Sequence, residues 1–427
     1  MRSRIRSNRT VRAALSELEG LRARGQRPEP PSFHPFPARM PVSVVEHLIT
    51  RVTSSDALIL DPMAGSGTTL IAAKRLGRHS LGIERDPLAL RIARSAITDF
   101  DPLKLERLGA RILSRARVAV SSGRVRLHQR REEMRLDDRR FIDYWFPTES
   151  QTQLCALADA IEDETKGKEK DFAWVVFSSL IISKSAGASL ALDLSRSRPH
   201  KHRDKEVVLP FDGWGRRFRT AVTRLPFKNT GGEFESTVSS AVRRGDARKL
   251  SIKDQIVDLV LTSPPYLNAI DYLRAHKFSL VWMGHTLTEL RELRGTMIGS
   301  ERGLWDLDGL PPDLENRMDY VLKQGRVRAQ HRRYLSDLAT VLAEIARVLR
   351  PGGLVFLAVG PTIISSKRTD AASVVTALGE RVGLRLVGSI ARQLRAKDRS
   401  LPLPLATGTS GPLSLRMRRE VIVALRK

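Results

Sequence analysis

Asp61-Pro62-Met63-Ala64-Gly65-Ser66-Gly67-Thr68-Thr69 follows the short apolar run Ala57-Leu58-Ile59-Leu60 and leads into Leu70 to Leu76, which reads as a helix. His79-Ser80-Leu81-Gly82-Ile83 then reads as a second strand, ending at Glu84. Strand, glycine turn, helix and strand within about 30 residues make a parallel βαβ unit. Glycines at 65 and 67 let the backbone approach a ligand where a side chain would clash. The helix that starts at Thr68 offers unpaired N–H groups to a carboxylate or phosphate. No lysine follows Gly67, which excludes a phosphate loop of the Walker type. Glu84, closing the second strand, is placed to accept hydrogen bonds from ribose hydroxyls. This pattern suits a dinucleotide and S-adenosylmethionine equally.

Outward from that unit, Ile256 to Leu261 reads as a strand running into Thr262-Ser263-Pro264-Pro265-Tyr266. A helix from Tyr334 to Leu349 stops at Pro351-Gly352-Gly353, and Leu354 to Val359 reads as a buried strand. Leu384 to Ile390 and Glu420 to Leu425 alternate as a final antiparallel pair. Between these parts, helical patterns (Gln153 to Ile161, Phe172 to Leu192) dominate. The expected fold is α/β, Rossmann-like, with a mostly parallel seven-stranded sheet, a C-terminal antiparallel strand pair and a mainly helical insertion. Its expected divisions are a basic N-terminal arm (1–32), the cofactor part (33–100), the insertion (101–237) and the catalytic part (238–427).

Composition narrows the partner. Lys and Arg number 73 against 47 Asp and Glu, a formal net charge of +26. Such a charge repels itself unless a polyanion is near, which favours nucleic acid. The basic residues are spread along the chain without an amphipathic anchor, against a membrane surface. The longest apolar run, Phe172 to Ile182, is shorter than the ~20 residues a membrane-spanning helix needs. The single cysteine, Cys155, excludes an internal disulfide and a thiolate zinc cage. With no secretory signal, the expectation is a cytoplasmic protein that uses no metal.

Ser263-Pro264-Pro265-Tyr266 carries the chemistry. An exocyclic base amine is a poor nucleophile because its lone pair is delocalised into the ring. It needs acceptors for its N–H groups, and the Ser263 hydroxyl and Pro264 carbonyl can supply them. Pro264 and Pro265 fix the backbone so that those acceptors stay aimed. Tyr266 offers a face on which a base flipped from the duplex can stack. Attack on cytosine C5 would need a cysteine nucleophile, and no Pro-Cys pair exists.

With both motifs present, the chain resembles the S-adenosylmethionine-dependent amino-methyltransferases of DNA, of the N4-cytosine and N6-adenine type with a TSPPY motif. The resemblance covers roughly the first hundred residues and those from about 238 onward. It implies that Phe36, Asp61, Gly65, Gly67, Thr68, Glu84 and Asp246 bind the cofactor. Phe36 would belong to a segment, Phe33-His34-Pro35-Phe36-Pro37, that closes over its methionine end, and Asp246 in Gly245-Asp246-Ala247 would bond its adenine. A serine before the prolines implies cytosine N4 as the target, with adenine N6 the alternative. The implied partner is double-stranded DNA, with a restriction endonuclease acting opposite the enzyme.

The insertion and the stretch from Leu267 to Arg333 are equal candidates for the target reader. Asn268 and Asp271-Tyr272 are either base-pocket residues or a helix cap with packing. The basic loop Arg196, Arg198, Lys201 and Arg203 is a candidate phosphate contact. Trp145, Trp174 and Trp214 read as packing of the insertion. Two rival functions are an RNA amine methyltransferase on the same fold and a DNA-binding protein with a spent methyltransferase site.

Overall fold

Seven strands in the order β6-β7-β5-β4-β1-β2-β3 build one sheet in the computed structural model. They are β1 (Leu58–Asp61), β2 (His79–Glu84), β3 (Ser240–Arg244), β4 (Val257–Thr262), β5 (Leu349–Val359), β6 (Arg385–Gln393) and β7 (Arg419–Arg426). Strands β1 to β5 run parallel, whereas β7 lies antiparallel between β5 and β6. The structure describes residues 4–20, 32–183, 187–194, 199–202, 204–228, 238–265, 271–300, 325–360, 362–364, 367–369, 371–394 and 419–427.

The central strands are mostly hydrophobic because helices cover both faces. Val257 to Thr262 is buried at every position. One face carries α1 (Asn8–Gly20), α2 (Val42–Val52), α3 (Thr68–Arg75) and α4 (Pro87–Ile97). The other is packed by α13 (Gly325–Val348) and α14 (Ala371–Arg381). Asp86 caps α4 by accepting from the Leu88 and Ala89 N–H groups, and Pro87 fills the first helical position.

The insertion comprises α5 (Pro102–Ser121), α6 (Leu127–Glu133), α7 (Leu136–Trp145), α8 (Thr148–Glu164), α9 (Gly167–Ile181) and α10 (Pro210–Thr223). Its core runs on without a break into α11 (Tyr272–Leu280) and α12 (Leu287–Gly295), which follow β4. Phe278 of α11 is fully buried, 4.9 Å from the Phe141 ring and 5.0 Å from Trp145. Trp174 and Trp214 are buried and their indole nitrogens donate to Glu162 and to the Gly109 carbonyl. Cys155 is buried, and that burial pushes its thiol up to about 12.

One local expectation holds and two change. The basic N-terminal arm, read as helical, does form a helix, α1, and its Val11, Ala14, Leu15 and Leu18 are buried. Their spacing makes one apolar stripe beneath the basic face, and Arg12 donates to the Val387 carbonyl of β6. The helical pattern from Phe172 to Leu192 breaks after Ile181: the Ala188 N–H returns to the Leu180 carbonyl. Ala191–Leu192 then pairs antiparallel with His200–Lys201. Finally, β5 begins at Leu349, and Pro351-Gly352-Gly353 makes an irregularity in its pairing with β4 rather than a break before the strand.

Among the described residues, no helix is long and apolar enough to cross a membrane. Nor, among them, does any cluster of His, Cys, Asp or Glu form a group that could hold a metal ion.

Candidate active site

The strand ends of β1, β2, β3 and β4 open on one cavity of about 240 Å³. At its centre the turn after β1 is narrow. Gly65 and Gly67 have φ of +52° and +82°, left-handed values that favour glycine. A Cβ on Gly67 would lie 3.2 Å from Ala93 Cα in α4, and one on Gly65 would lie 3.5 Å from the Phe36 ring. The turn is tied to the next strand: Ala64 N–H donates to the Ile83 carbonyl and Gly65 N–H to Glu84 Oε2 at 2.7 Å. Glu84 Oε1 accepts from the Arg85 and Asp86 N–H groups. Burial, and then the nearby Asp86 charge, raise its carboxyl to about 7.

Asp61 is buried and braces the site. Its Oδ1 accepts from Met63 N–H at 3.1 Å and from Thr262 Oγ1 at 2.7 Å. Thr69 Oγ1 donates to the Leu261 carbonyl. The glycine turn is thus fastened directly to the end of β4, where the second motif begins. Burial pushes the Asp61 carboxyl up from its ordinary range.

Ser263, Pro264 and Pro265 line the same cavity as the glycine turn. The Ser263 hydroxyl donates to the Ala358 carbonyl at 3.2 Å. Its proton is therefore committed to protein, and the oxygen keeps lone-pair capacity for an incoming N–H. Tyr266 and Asn268 lie outside the described residues, as do Arg196, Arg198 and Arg203. Lys201 is described: its ammonium sits 4.1 Å from the centroid of the Tyr144 ring.

Phe36 reaches the cavity from a segment before α2 and stacks on Tyr272 of α11. Asp271 caps α11 by accepting from Arg274 N–H, and it lines the cavity while bonded to Arg294. Asp246 lines the opposite end. Its carboxylate is held by Arg85 and by Arg248, whose Nη2 lies 2.8 Å from Oδ2. Burial would raise the Asp246 carboxyl, but the bonds from Arg248 outweigh it and the net shift is downward. Arg248 also bonds Asp337 of α13 and the Thr296 carbonyl, and Arg85 bonds Thr296 Oγ1. Thr296 to Ser300 thereby form a cavity wall.

Sequence reasoning missed Arg85, Arg248, His276 and that wall. They carry no motif; only the crossing of distant loops brings them together. The residues present fit S-adenosylmethionine. Gly65 lines the cavity without a side chain, Glu84 is a carboxylate acceptor, and the cavity lining mixes apolar and polar groups.

A mostly parallel sheet with an antiparallel edge pair and a glycine-turn cavity at its strand ends defines an α/β protein with a ligand site in the usual place for that class. Comparison with known proteins narrows the class. A family model described as DNA methylase, of the N6/N4 type, matches residues 14–95. The chain is 22% identical over 420 residues to the Type II methyltransferase M.MvaI of Kocuria varians, covering 92% of this chain and 90% of that protein. It is 49% identical over 49 residues to the Type II methyltransferase M.HindIII of Haemophilus influenzae, covering 12% of this chain and 16% of that one. A solved S-adenosylmethionine-dependent methyltransferase from Methanosarcina mazei aligns at 8% identity and a TM-score of 0.31, over 88% of this chain and 93% of that one. These stretches make the chain similar to the N4/N6 amino-methyltransferases of DNA, and the methyl donor that this similarity implies is S-adenosylmethionine.

Proposed function

We propose that the protein is a Type II DNA methyltransferase that methylates cytosine N4 in duplex DNA. The observation that carries this reading is the junction of the two motifs: Thr262 Oγ1 bonds Asp61, so the Ser263-Pro264-Pro265 acceptors stand beside the glycine turn in one cavity. The methyl donor, when bound, supplies an electrophilic methyl group. Gly65, Gly67, Thr68 and Glu84 hold it from the strand ends, with Phe36 at one end and Asp246 at the other.

The target base is flipped into the cavity and stacks on Tyr266. Ser263 Oγ, its own proton donated to the Ala358 carbonyl, accepts one N–H of the amine, and the Pro264 carbonyl accepts the other. Both contacts draw electron density onto the nitrogen as it attacks. The serine, rather than Asp or Asn, supports cytosine over adenine. The +26 charge supports a polyanionic substrate, with Lys201 and its neighbouring arginines touching phosphates. A restriction endonuclease of the same recognition sequence is the proposed counterpart, and the cytoplasm the proposed site of action.

The test is expression in a host without methylases of its own, followed by nucleoside mass spectrometry on separated DNA and RNA. N4-methylcytosine in DNA is the expected product. Ser263→Ala should lower the rate by about 10²- to 10³-fold, the usual effect of removing one polarising contact. N6-methyladenine would overturn the choice of base, and a product confined to RNA would overturn the choice of polymer.

A further inference from the structure

The helix that follows the catalytic tetrapeptide turns three polar residues inward along one face. Tyr272, His276 and Ser279 of α11 stand at i, i+4 and i+7. Each meets a different part of the molecule. The Tyr272 hydroxyl donates to the Pro37 carbonyl at 3.1 Å. Its ring stacks on Phe36, with centroids 4.7 Å apart and planes 19° from parallel. His276 Nδ1 lies 2.7 Å from Asp86 Oδ2, both side chains buried at 3% exposure. The His276 ring also packs 5.9 Å from Phe36 and 6.0 Å from Tyr272. Ser279 Oγ pairs with Ser178 Oγ of α9 at 2.9 Å, and Ser178 pairs with His34 Nε2 at 3.0 Å.

Both ends of the segment His34 to Pro37 are therefore fastened to α11, one directly and one through α9. What the fastening fixes is Phe36, whose ring lies over Gly65 in the cavity wall. A segment without strand or helix cannot hold an aromatic ring there by itself. The anchor at the far side is equally specific. Asp86 caps α4 two residues after Glu84, so the His276 contact joins the Phe36 wall to the loop that carries the cavity's carboxylate. Leaving Asp86 buried without His276 would cost the desolvation of an unpaired charge.

We infer that Tyr272 and His276 are positioning residues for the methyl donor, holding Phe36 against the glycine turn and so setting donor affinity. The inference rests on the reading of this cavity as the donor site.

The experiment measures binding of S-adenosylhomocysteine to the full chain by calorimetry, beside steady-state kinetics and melting curves. Tyr272→Phe removes only the hydroxyl. It should bind the probe about three- to tenfold more weakly, the loss of one hydrogen bond of ordinary net strength, and should raise KM for the donor by more than it lowers kcat. His276→Ala should weaken binding further. His276→Asn, which returns an N–H to Asp86, should recover part of the loss. Thr152→Ala, on the exposed face of α8, should bind as the wild type does.

Equal binding by wild type and Tyr272→Phe would overturn the inference and leave the donor site standing. A wild-type chain that fails to bind the probe would overturn the donor-site reading, and the inference with it. Should His276→Ala fail to fold, Tyr272→Phe alone decides.

Discussion

The unit from Leu58 to Glu84 and the helices from Pro102 to Thr223 are packed equally well, by different means. The first closes on itself: β1 pairs with β2 in register from Leu58 to Asp61, and the glycine turn bonds back onto Ile83 and Glu84 within 20 residues. The second closes on distant chain. Its aromatic core is completed by Phe278 and Trp282, which come after β4. Local closure leaves a signature in sequence spacing, whereas closure by a remote partner leaves only the need for one.

The sharpest way to break this contrast is Phe278→Ala. Removing a fully buried ring should cost about 3–5 kcal/mol, and denaturant unfolding should remain one transition. A separate early transition, with S-adenosylhomocysteine binding untouched, would show that the helices form a unit of their own. Gly67→Ala probes the opposite region. It places a side chain at φ +82° and 3.2 Å from Ala93 Cα, a strain of roughly 1–3 kcal/mol. The melting temperature should fall and probe binding weaken together. A fall in stability with unchanged binding would show that the turn's shape matters only to folding.

Glu84 sharpens the contrast chemically. Its carboxyl sits near 7 because burial disfavours the charge, and ribose hydroxyls donate best to the ionised form. Probe binding should therefore tighten as pH rises from 6 to 8. Glu84→Gln should flatten the profile and bind up to roughly tenfold more weakly. A wild-type profile that is flat over this window would remove Glu84 from the ribose contact. The smallest effect belongs to Cys155, whose burial raises the thiol to about 12. A thiol reagent should label it slowly in the folded chain and rapidly in urea, and fast labelling in water would mean that the helical core opens.

The sheet was legible because its signals are short-range. Leu58 to Ile83 alternates strand, turn and helix within one supersecondary unit, and Val257 to Thr262, apolar apart from Asp258 and Thr262, is buried at every position. Ser263 was legible through its two prolines. Trp145 was read as packing, but nothing in its neighbourhood named Phe278 as its partner. Arg248 was invisible for the same reason. Its partners, Asp246, Thr296 and Asp337, span 91 residues, and a lone arginine in so basic a chain carries no signal. Helix α1 was half legible: its charge was plain, whereas the apolar stripe at Val11, Ala14, Leu15 and Leu18 needed β6 to give it meaning.

The contact between Thr262 and Asp61 bridges two residues 201 positions apart, across the β1–β4 ladder. The glycine turn and Ser263 are thus spaced by neighbouring strands of a sheet, with the length of chain between them immaterial. The intervening segment can lengthen, shorten or acquire new loops without altering that spacing. A circularly permuted gene that placed the tetrapeptide before the glycine turn would preserve the same gap, provided β1 and β4 still met side by side. The two motifs behave as parts bolted to a common frame, and their order of translation is a historical accident that the chemistry does not notice.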